Sequence, residues 1–388
     1  MSDTSRQPPP TEPGVGFPGR LLRASTTVVT SVGAIVIALL MGAIFIVIFG
    51  DDPIAAYRAL FSGAFGDRRS IAETLVATTP FIFGGLAFAV AARAGMFNIG
   101  IEGQLMMGGL ACGLVGAFDL GLPAVLFLPL ALATAAVAGG LWGALSGVLK
   151  AQTGAHEVIT TIMLNYIAFR INTYVMTSAE GWLPINPGLQ ATEKVQPEAR
   201  LPNILSGTRL HAGIILAIVV AVAMWYLLFR TTFGYRIRTV GLSRGAASYA
   251  GIKWGLAITL AMGLSGALAG LAGAGEALGL QGRHYSGPPG YGFTSIAVGL
   301  VGRNHPIGVI MAGLLFGVLR SGATEMQNQV GTSKELVQVL QGLVILSVSA
   351  FAAFGRLQAW RSRRATARRT PPVETSTMGV EPGAPPAV

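Results

Sequence analysis

The sequence has 388 residues, 52% of them hydrophobic and 11% charged, with 53 glycines, a mean hydropathy of +0.60 and a net charge of +10. That composition excludes an ordinary soluble domain and points to an all-α, polytopic membrane protein whose many glycines let helix backbones pack closely. A single cysteine, Cys112, excludes a disulfide framework or cysteine metal cluster within the chain. The four histidines (His156, His211, His284, His305) lack metal-ligand spacing, so no metal or other cofactor is expected.

Residues 1–26 are polar and Pro-rich and are expected to form a disordered cytoplasmic tail. The apolar run 28–49 is too long for a signal-peptide core and lacks a small-residue cleavage site, so it reads as a retained span. Apolar windows recur at 71–92, 105–118, 122–149, 158–176, 214–229, 256–278, 293–301, 307–319 and 336–354. About ten transmembrane helices are therefore expected over 27–355, and the shortness of the third, eighth and ninth windows predicts interrupted helices. With both termini inside, 17 of the 27 Lys and Arg fall on the cytoplasmic side and 9 outside, with Arg170 inside a span. This bias predicts an N-in/C-in chain and explains the positive charge by topology, not by nucleic-acid binding. The loop 230–254 is then cytoplasmic. The loop 177–210, with Trp182 and four prolines, is on the outer side and long enough to suggest a function. Residues 356–388 form a second disordered cytoplasmic tail.

The stretch 94–109 stands out because Gly95, Gly100 and Gly103 interrupt it and Asn98, Glu102 and Gln104 sit among apolar neighbours. Hydrocarbon tolerates irregular backbone only where protein or a watery cavity satisfies it, and an ionisable residue at membrane depth usually marks a pathway. A cytoplasmic turn with a wet Glu102 is the other reading. A second Gly-rich element, 287–308, also precedes an apolar window, and paired broken segments point to a transport site. In so Gly-rich a chain coincidence is the alternative.

Residues Glu157, Thr161 and Asn165 recur four apart and share a helix face; they either line a channel or form interhelical hydrogen bonds. Glu276 stands alone in a Gly/Ala-rich span, at an interface or on a pathway. The cytoplasmic segment 230–253 is basic, and its small-residue centre 241–252 forms either a docking helix with a thin face or part of an ordinary positive-inside loop. None of the four lysines follows a glycine, so no Walker-type phosphate loop is present. No Gly-x-Ser-x-Gly elbow and no His-Glu-x-x-His helix occurs either.

Taken together, 94–104, 157–165, 241–252 and 290–299 resemble permease subunits of bacterial ABC importers, in the nucleoside-type branch of the ribose/branched-chain amino acid permease superfamily. Residues 97–104 match that branch's Phe-Asn-Ile-Gly-x-Glu-Gly-Gln signature, and the resemblance spans about 28–354. Departures are His156 and Ser243, where the branch more often has Asn. The resemblance implies a multi-pass inner-membrane subunit, without a catalytic site, in a lipid bilayer beside a second related permease. Separate ABC ATPase subunits would power it and an extracytoplasmic binding protein would deliver substrate. It further implies a path lined by Phe97, Asn98, Glu102, Gln104, Glu157, Thr161, Asn165, Phe293 and Thr294. Gly241, Arg244, Ala246, Ala247, Tyr249, Ala250 and Gly251 would form the coupling helix that meets the ATPase. The implied solute is a nucleoside or a related polar uncharged molecule such as a simple sugar. Asn98, Gln104, Thr161 and Asn165 can bond ribose hydroxyls, and Phe97 offers a face to a base. An ion-coupled secondary transporter, with Glu102 or Glu157 as the proton-linked group, is the alternative.

Overall fold

The computed structural model describes residues 39–178 and 183–331, with isolated positions on either side. Both expected tails, Trp182 and most of the window 336–354 lie outside the described residues.

The described chain is helical throughout, apart from one two-residue hairpin. In order it contains α1 (Leu39–Ile48), α2 (Pro53–Phe65), α3 (Arg68–Arg93), α4 (Ile101–Ala117), α5 (Ala124–Thr153) and α6 (Glu157–Ser178). After the loop 183–210 come α7 (Gly213–Arg230), α8 (Thr232–Leu242), α9 (Arg244–Tyr249), α10 (Trp254–Ala274), α11 (Gly292–Val301) and α12 (Pro306–Val330). Helix α10 runs on into a π turn, Gly275–Leu280, which carries Glu276. Local sequence sets several boundaries. Asp52, with Pro53 in the first turn, caps α2. Asp67 caps α3, accepting the Ser70 N–H at 2.6 Å. Gly154 and Gly331 end α5 and α12 in the left-handed region.

Among the described residues, five helices are long and apolar enough to cross a bilayer: α3, α5, α7, α10 with its π turn, and α12. The chain is an all-α, multi-pass membrane protein. The other expected windows fall on different objects. Window 105–118 is the 17-residue α4, about 25 Å long, and 293–301 is the ten-residue α11, about 15 Å long; both fall short of the ~30 Å core. Window 158–176 lies in the 22-residue α6, whose polar residues lower its hydropathy. Of the first window, the helix Leu39–Ile48 is described. Conversely, α2 has no window, since thirteen residues are too few to register as a span.

Helix α3 is the core element. Its apolar window is 83% buried, against 22% for α5, so α3 is enclosed by protein while α5 is peripheral. It packs against α7, α10, α11 and α12. Pro80 is accommodated inside it, as neighbouring helices permit in membrane proteins. Helices α5 and α10 meet along a small-residue seam: Gly139, Gly143 and Gly147 on one side, Gly266 and Gly270 on the other. Any Cβ at Gly270 would run into the Ala135 carbonyl, so these backbones touch directly.

The loop 183–210 is strapped onto the helix ends. Its hairpin pairs Ile185 with Thr192, and beyond it Gln196 N–H bonds the Gly116 carbonyl at 2.8 Å and Leu201 N–H the Leu278 carbonyl at 3.1 Å. His284 faces Asn172 at 3.0 Å, and His211 accepts the Gly213 N–H at 3.1 Å, so both histidines tie loop to helix.

Candidate functional site where two glycine-rich breaks meet

Helix α3 ends at Arg93, and Gly95, at φ +75°, turns the chain against Gly241 of α8. Only a glycine at 241 permits this approach, because a Cβ there would meet the Arg93 carbonyl. The backbone then runs without helical structure until α4 begins at Ile101.

Side chains fill the hydrogen-bonding needs of this break. Asn98 is fully buried; its amide donates to Gln104 at 2.9 Å and to Ser265 of α10 at 2.8 Å, while its oxygen accepts the Gly100 N–H at 2.9 Å. Ser265 in turn donates to the Ala87 carbonyl of α3 at 2.7 Å. From α6, Thr161 accepts the Ile99 N–H at 3.3 Å. Asn165 accepts the Gly103 N–H at 2.8 Å and donates to the Ile99 carbonyl at 2.9 Å. The polar stripe on α6 therefore serves the break directly. Glu157 does not join it: its carboxylate pairs with Lys150 of α5 at 2.7 Å.

Glu102 links the two breaks. Its carboxylate is 4% exposed and accepts the Gly290 N–H at 2.7 Å and the Gly292 N–H through its other oxygen. A negative group thus sits at the N-terminus of α11, where the helix dipole and unpaired N–H groups favour it. Helix α11 is ten residues long, so Glu102 lies about 15 Å from the turn at Arg303 and Asn304, where Arg93 Nε donates to the Asn304 carbonyl at 3.0 Å.

Of the residues assigned to a path, Phe97 and Phe293 are exposed at 39% and 59% and Thr294 is partly exposed. The Phe97 ring packs edge-on against Phe88 at 5.2 Å. Asn98 and Gln104, by contrast, are buried and spend their amides on the chain itself. The Thr161 hydroxyl and the Asn165 amide serve the break. The hydrogen bonds of these four are ones that an irregular backbone needs satisfied internally.

Next to this junction, on the side of the 177–210 loop, is a cavity of ≈ 550 Å³ between α2, α3, α12 and Tyr291. Tyr291 lies between the two glycines that Glu102 holds. Its ring meets Phe81 edge-on at 5.4 Å, and the Arg320 guanidinium sits over it at 4.1 Å. At the same cavity Arg209, from the loop before α7, donates two hydrogen bonds to Glu73 of α3, at 2.9 and 2.5 Å. Asp67 also lines it, its carboxyl held below the usual range by the Ser70 backbone N–H.

On the segment 241–252, Gly241, Arg244, Ala246, Ala250 and Gly251 are exposed, and Tyr249 is 97% exposed. Ala247 is fully buried in the chain's own core. Of the small residues of α9 only Ala247 is turned inward; Gly245, Ala246 and Ala250 stay exposed beside Tyr249. Arg244 stacks on Trp254 at 4.1 Å.

Ser265, Tyr291 and Arg320 were not among the sequence candidates. Arg320 had a signal, a charge within an apolar helix, but the window ended one residue earlier. Ser265 had none.

The model of the family described as branched-chain amino acid transport system / permease component matches residues 70–349. Among curated relatives, the guanosine ABC transporter permease protein NupP of Bacillus subtilis is 42% identical over 326 residues, covering 81% of this chain and 91% of that one. The nucleoside ABC transporter permease protein NupB of Lactococcus lactis is 36% identical, covering 81% and 89%. The glucose ABC transporter permease protein TsgB13 of Haloferax volcanii is 34% identical, covering 85% and 89%. No solved structure matches the chain. The family has no catalytic centre of its own, and with five long apolar helices and a similarity that spans most of both chains, this chain belongs to it as a membrane-spanning permease subunit of a bacterial ABC importer.

Proposed function

We propose that this subunit carries nucleosides, or a related polar uncharged solute such as a simple sugar, across the bacterial inner membrane. Separate ABC ATPase subunits power it, a second related permease completes the membrane pore, and an extracytoplasmic binding protein delivers the solute. The chain runs N-in/C-in with about ten crossings, α4 and α11 being short elements interrupted at membrane depth. One observation carries the reading: Glu102 of the first Gly-rich break holds the backbone of the second, about half a hydrocarbon thickness from the Arg93 turn. Two broken helices meeting at mid-depth are the architecture of a transport site. The similarity to a guanosine permease and a nucleoside permease supports the solute class.

In this account Phe97, Phe293 and Thr294 face the path. Asn98, Glu102, Gln104, Thr161 and Asn165 give it its shape, and Glu157 stands with Lys150 at its cytoplasmic end. The test is uptake of labelled guanosine into proteoliposomes holding the permeases, ATPases and binding protein. Uptake that requires hydrolysable ATP supports the reading; uptake by this chain alone under an imposed proton gradient replaces it with ion-coupled transport.

The exposed face of α9 is the coupling surface, through Arg244, Ala246, Tyr249 and Ala250, with Gly241 and Gly251 at its ends and Ala247 anchoring it from behind. Tyr249→Ala removes the most exposed ring of that face and no internal contact, so folding stays intact. Substrate-stimulated ATPase activity is expected to fall on the order of tenfold, the loss typical of one interfacial hot spot. Unchanged stimulation would remove α9 from the coupling surface.

A further inference from the structure

The ≈ 550 Å³ cavity beside Tyr291 falls within the size range of small-molecule sites and differs from the junction at Phe97. Its charged lining consists of Asp67, Glu73 and Glu325 against Arg69, Arg209 and Arg320. Three acids and three bases leave the wall without net formal charge, which suits a neutral polar solute better than a phosphorylated one.

Arg320 is the informative member. It sits on α12 some fourteen residues beyond Pro306, about 21 Å along the helix axis, where the apolar stretch gives way to the polar end of the helix. Among the described residues it makes no direct ion pair, whereas Arg209 and Glu73 at the same cavity are paired. The carboxylates of Glu276, which bonds Tyr291, and of buried Glu102 lie behind Arg320 and offset its charge. Its guanidinium is held flat by Tyr291 at 4.1 Å and by Phe81 at 5.9 Å. Tyr291 is itself fixed on both sides, because Glu102 holds the N–H groups of Gly290 and Gly292. The result is a rigid cationic plate in the wall of the cavity, tied by one carboxylate to the first Gly-rich break.

We propose that this cavity is the first solute subsite of the permease and that Arg320 is its specificity-determining residue, selecting nucleosides whose base presents two adjacent acceptors. The proposal rests on the nucleoside-import reading above. A planar guanidinium matches the O6 and N7 acceptors of a 6-oxopurine bidentately, and the N6 amino group of adenine places a donor where the second acceptor should be. The carboxylates and hydroxyls of Glu73, Ser321 and Thr324 on the same wall provide partners for ribose hydroxyls.

The experiment compares guanosine, inosine and adenosine uptake by the fully reconstituted complex carrying wild-type, Arg320→Lys or Arg320→Gln permease. Assembly of each is checked by size-exclusion chromatography. The expected wild-type preference is for guanosine and inosine, and Arg320→Lys should lower it on the order of tenfold by removing the bidentate fork while keeping the charge. A second readout keeps Arg320 intact: in a Cys112→Ala background, guanosine should slow maleimide labelling of Thr324→Cys from the outer side, and adenosine should do so less. Unaltered preference in both Arg320 variants, or no protection of Thr324→Cys, overturns the subsite while leaving nucleoside import standing. Absence of any nucleoside uptake by the wild-type complex overturns both.

Discussion

Gly270→Val should leave little folded protein in the membrane. Gly270 is where α4, α5 and α10 meet: a side chain there would strike the Ala135 carbonyl and the Gly139 Cα on α5, and Gly108 of α4 abuts the Gly270 Cα. The obstacles are backbone atoms, which cannot rotate away as a flexible side chain can. Lipid tails are as apolar as the helices, so close van der Waals contact supplies most of the drive for association, and separating the seam forfeits it. Overpacking a well-filled core costs about 1–3 kcal/mol, and a backbone clash shared by three helices belongs at or above the upper end. Expression level and thermal unfolding in detergent are the measurements. Wild-type values for Gly270→Val would mean that the seam is looser than its geometry states.

Glu102→Ala carries the second large effect, and it separates structure from function. The substitution leaves the Gly290 and Gly292 N–H groups without their acceptor in a buried site, at about 1–3 kcal/mol each. It also removes the negative group at the N-terminus of α11, a further contribution of about 0.3–2 kcal/mol. Tyr291 then loses the anchors on both sides. Uptake should fall to background and the melting temperature of the permease should drop. Glu102→Gln keeps the shape but turns an NH2 toward one of the two backbone donors, so it should recover only part of the stability. If both variants unfold and transport like wild type, Glu102 is a wet residue of a surface turn.

How much of this was legible depends on the range of the interaction. The polar residues of 97–104 were visible because nothing apolar explains them, and the i, i+4 spacing of Thr161 and Asn165 correctly gave them a common face. Their partners were not visible. Asn98 reaches Ser265, 167 residues away, and Glu102 reaches Gly290, 188 residues away. No local pattern encodes such pairings, and Ser265 looks like any small residue in a Gly/Ala-rich helix. Glu157, on the same stripe, was diverted by Lys150, which the turn after α5 brings within 2.7 Å. Windows of hydropathy also end where polar residues enter a helix. The window 307–319 stopped before Arg320, whereas α12 continues to Val330, so a charge inside the bundle was read as part of an outer loop. For α9 the small residues marked a thin face but not which of them is covered. Only Ala247 is covered by its own chain, and Tyr249 is left outward.

The central claim, that the 94–100 break lines a path at membrane depth, is tested most directly by labelling. In a Cys112→Ala background, Phe97→Cys carries the only thiol of the chain, at a position 39% exposed beside Phe88 and Gly95. In the assembled complex, a membrane-impermeant maleimide applied from the cytoplasmic side should label it in one nucleotide state of the ATPase and not the other, with guanosine slowing the reaction. Rapid labelling from the cytoplasm in every nucleotide state, unaffected by solute, would contradict the account and make the break a cytoplasmic turn.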